Sequence, residues 1–265
     1  LFIIIFMVVL SFAACSLDGS DTAVLTNNLD EYDLLTVIDD FDDTFIFSDI
    51  GIVSDNGSCS IDSNILTINE AGTYRLTGNS ADACIVVDVD GVDNVFLVLA
   101  DLDVATTDSA AIYVQNANKV IVNLASGTNN YLSDSSGSAT DHSACLFSRD
   151  DLSINGTGAL TIAGNYNNGI DCNDDLVITG GEINITAEND AIKANNSFTL
   201  TNATLDLAAG NDGIHVENAD ETGKGNVSII NGTIVSTSYG DSIDCGNAIL
   251  IEGGTLSLVS GYHNL

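Results

Sequence analysis

The sequence predicts an all-β chain wound into a parallel β-helix, a three-sheet solenoid with about 22 residues per coil. Three observations lead there. Residues 165–265 read as stacked lines: Asn168-Gly169-Ile170-Asp171-Cys172, Asp190-Ala191-Ile192-Lys193-Ala194, Asp212-Gly213-Ile214-His215-Val216 and Asp241-Ser242-Ile243-Asp244-Cys245, with His263-Asn264-Leu265 starting another. The central Ile or Leu recurs at spacings of 22, 22, 29 and 22 residues, a period that belongs to repeat architectures. Within each period the apolar residues form three short alternating sets, such as Leu176/Ile178, Ile183/Ile185 and Ile192/Ala194, and alternation with period two marks strands with one face buried. Gly180-Gly181, Asn202-Ala203, Asn231-Gly232 and Gly253-Gly254 separate the sets, as turns do. A leucine-rich repeat of similar length would need a helical half, and the Thr, Asn, Val and Ile content argues against one.

Taken in order, the chain opens on an apolar, uncharged stretch, residues 1–14, too short to span a bilayer comfortably and suited to a signal-peptide core. It ends Ser11-Phe12-Ala13-Ala14-Cys15, which resembles a bacterial lipobox; residues 1–15 are therefore expected to be a lipoprotein signal ending at a lipidated Cys15, in a chain that lacks its original N-terminus. A plain secretory signal is the alternative. Residues 16–48, rich in Asp, are expected to be an acidic tether, with Leu34, Leu35, Val37 and Ile38 available for a cap strand or short helix over the first coil. Residues 49–265 form the solenoid domain, truncated at its C-terminus. In it residues 49–76 read as capping strands, and coils begin near Ala83. The central column runs back from Ile170 through Leu146 and Ile112 to Ile85. Residues 127–142 are expected to be a projecting loop and residues 219–225 a smaller insertion.

With 5 basic and 38 acidic side chains the formal charge is −33, which excludes nucleic acid as a partner and favours cations, or surfaces that cations bridge. Solubility alone is the competing account of the charge. Disorder is excluded, because 45% hydrophobic residues in a regular pattern can bury a core.

Four blocks carry a family resemblance: Ala71-Gly72-Thr73-Tyr74-Arg75-Leu76-Thr77-Gly78, Ala111-Ile112-Tyr113-Val114-Gln115-Asn116-Ala117-Asn118-Lys119-Val120, Phe147-Ser148-Arg149-Asp150-Asp151-Leu152-Ser153-Ile154-Asn155-Gly156 and Asp174-Asp175-Leu176-Val177-Ile178-Thr179-Gly180-Gly181. Across residues 64–260 the chain resembles a family of secreted bacterial carbohydrate-binding proteins founded on a clostridial cellulose- and polygalacturonate-binding protein. The resemblance implies a right-handed parallel β-helix like that of pectate lyases, bound calcium, and binding of pectin or cellulose in place of catalysis. It transfers no ligand positions, so the candidate residues come from the repeat itself.

The column before the central Ile stacks Asp190, Asp212 and Asp241 on successive coils, which lie about 4.8 Å apart. Two bare carboxylates at that spacing repel by roughly 1 kcal/mol in water and roughly 3 at an effective dielectric of 20. Ca²⁺ is the natural bridge, since it takes six to eight oxygens in flexible geometry, and Asn168, Glu188, Asn189 and Asn211 stand nearby. An Asp/Asn ladder bonding turn amides is the alternative. The column after the Ile, Phe147, Asp171, Lys193, His215 and Asp244, is expected to face outward and to offer a linear polysaccharide aromatic, acidic and basic contacts, with Ca²⁺ held by Asp171, Asp190 or Asp244. An ordinary solvated strand face is the competing account. A lyase would need a basic residue of lowered pKa, and Lys193 is the one cation among the acidic columns, where neighbouring aspartates push its pKa the wrong way. A hydrolase pair of Asp171 and Asp244 would be about 14 Å apart, beyond the roughly 6.5–9.5 Å of an inverting pair.

Cys172 and Cys245 fall in one column three coils apart, and Cys84 and Cys145 in another about 9.6 Å apart, too far for the roughly 7 Å a disulfide tolerates. Free thiols are expected. His142, His215 and His263 show no zinc spacing. The reading is thus a monomeric, calcium-dependent polysaccharide-binding lipoprotein at the cell surface, with a calcium-dependent lyase or a structural stalk as alternatives.

Overall fold

The computed structural model describes residues 29–137 and 144–261; the leader, Cys15, residues 16–28 of the acidic stretch, His142 and His263 lie outside them. The described residues form twenty-five strands and no helix. From Asn168 onward the pattern is regular. Asn168–Cys172, Asp175–Ile178 and Glu182–Ala187 are followed by Ile192–Ala194, Ser197–Leu200 and Thr204–Ala209, and each strand pairs in parallel with its counterpart three strands later. The same holds for Ile214–Val216, Asn226–Ile229 and Thr233–Ser238, and for Ile243–Cys245, Ala248–Ile251 and Thr255–Ser260. This all-β, solenoid-like order follows from the alternation: a strand with one apolar face hides it when the next repeat stacks on it in register.

The central column is continuous. Leu66, Ile85, Ile112, Leu146, Ile170, Ile192, Ile214 and Ile243 are register partners in sequence, and all are buried. Phe198, Leu200, Leu205 and Leu207 stack likewise on Leu176, Ile178, Ile183 and Ile185. Each such side chain contributes roughly 1.5–3 kcal/mol of burial.

Four features depart from the sequence reading. The hydrogen-bonded sheets number two, of 16 and 9 strands, because two of the three expected faces share Asn94–Ala105. This twelve-residue strand pairs with Lys119–Leu124 through its first half and with Asn129–Ser133 through its second. It turns the corner at Asp101, whose φ is 56°, without leaving the ladder. Later coils turn at separate residues: Gly156, Gly181, Asn202, Gly232 and Gly254. At Gly156 φ is +93° and a Cβ would stand 2.3 Å from the Leu124 carbonyl oxygen, so no other residue fits without movement.

Parallel pairing also begins earlier than Ala83. Ile65–Ile68 joins Cys84–Asp88, and Asp43–Ser48 joins Gly72–Ser80, with Gly51–Ser54 and Ser60–Asp62 folding back antiparallel to close that end. The expected loop of residues 127–142 contains a strand, Asn129–Ser133, because Leu132 supplies one more inward position, pairing with Ile162 and fully buried. Residues 31–34 make a turn, neither strand nor helix, that lies on the outer face of the larger sheet, where Asp33 is fully buried. All five described cysteines are free thiols, and Cys172 and Cys245 are separated in register by Ala194 and Val216.

Candidate functional site

The column after the central Ile is a physical ladder. Tyr113, Phe147, Asp171, Lys193, His215 and Asp244 are successive register partners on the nine-stranded sheet. Strand alternation places them outward, yet they are not equally open. Phe147 is 7% exposed and stacks on Tyr113 at 5.8 Å, with the Arg149 guanidinium over the other ring. It is therefore part of a small packed cluster with Ala110 and Ala144, not the open sugar platform expected from its position. Asp171 is buried beside the Asn168 amide nitrogen, at 3.2 Å. Lys193, His215 and Asp244 are the members that reach solvent.

The preceding column resolves into two halves of each carboxylate. Asn168 Oδ1 accepts the Asp190 amide (3.1 Å), Asp190 Oδ1 accepts the Asp212 amide (3.0 Å), and Asp212 Oδ1 accepts the Asp241 amide (2.6 Å). This is the hydrogen-bonded ladder, one side chain capping the turn of the next coil. Asn211 donates to Asp190 Oδ1 and Asp212 Oδ2, and Asn189 donates to Asn168 Oδ1. The turn amides take the Oδ1 atoms; the second oxygens of Asp190 and Asp212, the latter also accepting from Asn211, lie beside His215 Nδ1, at 3.4 and 3.8 Å, while Asp244 Oδ2 approaches His215 Nε2 at 3.8 Å.

The charges respond. The hydrogen bond His215 makes to Asp190, with the carboxylates around it, raises the His215 pKa against the opposing effect of burial. Burial pushes Asp190 upward, but His215, the Asp212 amide and Asn211 together bring it below the ordinary carboxylate range. Asp212, with burial foremost and Asp190 beside it, is raised. Lys193 is held above its usual value: burial opposes, but Glu217, paired at 2.8 Å, and Asp171 prevail.

The ligand atoms of Asp190, Asp212 and His215 all lie within 4.8 Å of one another, close enough to share an ion. Two carboxylate oxygens with Asp244 nearby suit a hard divalent cation that completes its shell with water or a ligand's own oxygens. Asn168 does not fit, because its oxygen already accepts two donors. Glu188 is exposed and Asp241 half-buried. Of the residues singled out from sequence, Asp190, Asp212, His215, Asp244 and Lys193 gather at one place; Asn168 and Asp171 support it from behind.

Sequence reasoning missed Glu217, the Lys193 partner. Its signal was present, two residues past His215 on the same outward face and diagonal to Lys193. Tyr113, one coil before Phe147 in the same column, was also legible. A second acidic group, Asp151, Asp174 and Asp175, has ligand atoms within 4.8 Å of one another at the starts of neighbouring strands. Burial, with Asp175 and Asp174 adding repulsion, pushes Asp151 up to about 6.

Comparison with known proteins gives consistent results. Residues 62–264 match the family of carbohydrate-binding domain-containing proteins. A relative from Acetivibrio thermocellus, described as a carbohydrate-binding domain-containing protein, is 40% identical over 223 residues, covering 82% of this chain and 78% of its own length. A solved structure of a polysaccharide lyase-like protein from C. thermocellum, a gadolinium derivative, superposes with a TM-score of 0.75 at 34% identity, covering 84% of this chain and 99% of that one.

Proposed function

The chain belongs to the carbohydrate-binding domain family, and from that premise we propose that it binds an acidic plant cell-wall polysaccharide, polygalacturonate in pectin, through Ca²⁺ and without catalysis. Cellulose, which lacks carboxylates, would engage the same face more weakly. In this reading the chain is a right-handed, three-faced β-helix, monomeric and held at the bacterial surface through Cys15.

The observation that carries the reading is the approach of Asp190 Oδ2 and Asp212 Oδ2 to one point beside His215 Nδ1, with Asp244 Oδ2 near Nε2 of the same ring and Lys193 one coil away. These side chains would hold the cation. The cation supplies positive charge on which a uronate carboxylate completes the coordination shell. Lys193 supplies a second, direct contact to a neighbouring carboxylate, exchanging its Glu217 partner for the ligand.

A lyase on this fold would need an amine that is free near neutral pH. Lys193 moves the other way, kept protonated by Glu217 and Asp171, and this favours binding over β-elimination. The test is retention on polygalacturonate with calcium and with a chelator. The expected result is calcium-dependent retention with no unsaturated product, reduced several-fold by Lys193→Ala. Unsaturated product abolished by Lys193→Ala would establish the lyase instead. Absence of retention on any glycan would overturn both and leave a structural stalk.

A further inference from the structure

The larger sheet carries a second polar patch on its outer face, remote in sequence from the acidic ladder. Lys119, Asn123, Ser153, Asn155 and Thr179 lie there on adjacent strands, and Phe96 borders them. In this structure the patch is covered by the chain's own turn of residues 30–35. Asp33 Oδ1 accepts from Lys119 Nζ at 2.6 Å and from Ser153 Oγ at 2.6 Å, and Asp30 Oδ2 accepts from the same ammonium at 2.9 Å. The backbone oxygens of Tyr32, Asp33 and Leu35 accept from Asn155 Nδ2 (2.8 Å), Thr179 Oγ1 and Asn123 Nδ2 (3.4 Å). Tyr32 sets its ring edge-on to Phe96 at 5.6 Å.

We propose that this patch is a binding site for a uronic-acid unit, and that the Asp30–Asp33 turn occupies it as an internal, displaceable substitute. The proposal rests on the reading that the ligand is an acidic glycan, and adds a second subsite that needs no cation.

Four observations carry it. The chemistry is that of carboxylate and hydroxyl recognition: one ammonium, two hydroxyls, two amides and an aromatic face, all used to hold a segment that is neither strand nor helix. The turn is a poor fit for the amides. It offers the patch three carbonyl acceptors, and the fully buried Asn123 Oδ1 is left without a donor among the described residues. A sugar hydroxyl supplies a donor where a backbone carbonyl cannot. Apolar burial holds the segment only in part: Leu34 is 57% and Val37 66% exposed, while Leu35 and Ile38 are half-buried and Tyr32 meets Phe96. What otherwise holds it is an ion pair and hydrogen bonds that a uronate reproduces, so exchange replaces like with like. Finally, a groove of ≈ 540 Å³ already runs beside the turn. Its acidic lining, Glu31, Asp39 and Asp40, belongs to the covering segment, whereas the sheet contributes Thr73 and Phe96. Lifting the segment therefore removes the local acids and uncovers Lys119. Asp151, the neighbour of Lys119 on the ladder, stays, with Asp174 and Asp175 beside it.

The test uses the full chain in excess chelator, with a defined oligogalacturonate as probe and a cello-oligosaccharide of equal length as the neutral control. Asp30→Asn with Asp33→Asn weakens the internal substitute, and is expected to tighten oligogalacturonate binding at least tenfold over the parent, with no gain for the neutral control. Adding Lys119→Met to that variant is expected to abolish the gain. Equal affinity in parent and variant, or a gain that survives Lys119→Met, overturns the proposal. The parent protein gives a reading free of any folding defect: saturating oligogalacturonate in chelator is expected to speed hydrogen exchange at the amides of residues 30–35, and unchanged exchange overturns the displacement. Retention in calcium that depends on Lys193 is scored separately, so failure of either site is visible without the other.

Discussion

Substituting Asp212 separates the two duties of its carboxylate. Asp212→Asn keeps Oδ1 for the Asp241 amide, now 2.6 Å away, and puts an uncharged NH2 in place of the second oxygen, from which the Asn211 amide turns away to its other acceptor, Asp190. In the calcium-free protein two effects oppose. Repulsion from Asp190, whose ligand atom lies within 4.8 Å, is relieved, worth roughly 3 kcal/mol at an effective dielectric of 20 and under 1 in water. Where His215 carries its proton, attraction to it at 3.8 Å is lost and is of similar size. Stability without calcium should therefore change by less than about 1 kcal/mol. Calcium binding should change much more. A monovalent charge at a coordination distance of about 2.4 Å from Ca²⁺ is worth about 3 kcal/mol even at the dielectric of water, or two orders of magnitude in Kd. At a calcium concentration that is 100 times the parent's Kd, the parent gains about 2.7 kcal/mol and the variant about 0.4. Differential scanning calorimetry with calcium and with chelator measures both, at about 2–4 °C per kcal/mol for a chain of this size. Asp212→Ala is the companion. It also orphans the Asp241 amide and should cost about 1–3 kcal/mol without calcium. Equal destabilisation by Asn and Ala would refute the division between the two oxygens. An undiminished calcium shift in Asp212→Asn would refute the cation site.

Three further outcomes follow from the same geometry. His215 has a raised pKa in the folded state, so its contribution is fully present below the unfolded value near 6.5 and is lost as pH rises through the folded value; the melting-temperature difference between parent and His215→Gln in chelator should shrink across that window. Asp151 behaves oppositely to a paired carboxylate. Its pKa is raised to about 6, so ionisation destabilises the fold as pH rises from about 4 past 6, and Asp151→Asn should raise the melting temperature at pH 7 but not at pH 4. Gly156→Ala should cost more than about 1 kcal/mol in urea unfolding, because φ is +93° and the new methyl meets the Leu124 carbonyl; an unchanged midpoint would contradict the close approach.

The repeat was legible because it is local. A period of 22 with three alternating sets leaves one way to bury every Ile, and the register of Ile170, Ile192, Ile214 and Ile243 follows. The same register ordered Lys193, His215 and Asp244 in one column and Asp190 and Asp212 in the next. The places where the reading was revised lie where the period is broken. Asp101 carries a left-handed bend inside a strand, which no turn residue announces, and so merged two faces into one sheet. Asn129–Ser133 sits among polar, loop-like residues, yet its alternation is satisfied by neighbours on either side.

Sequence alone thus determined the all-β class, the order of the stacked columns and the family, since all three depend on residue type and spacing along the chain. Only the tertiary structure decided how each atom is used. Whether Asp190 serves a turn amide or a cation depends on which of its two oxygens faces the next coil, and spacing does not distinguish them. Whether Lys119 is free depends on Asp33, fully buried against it. The ion pair from Asp30 to that lysine spans 89 positions, a contact set by where a turn lands on a sheet, with no period to foretell it.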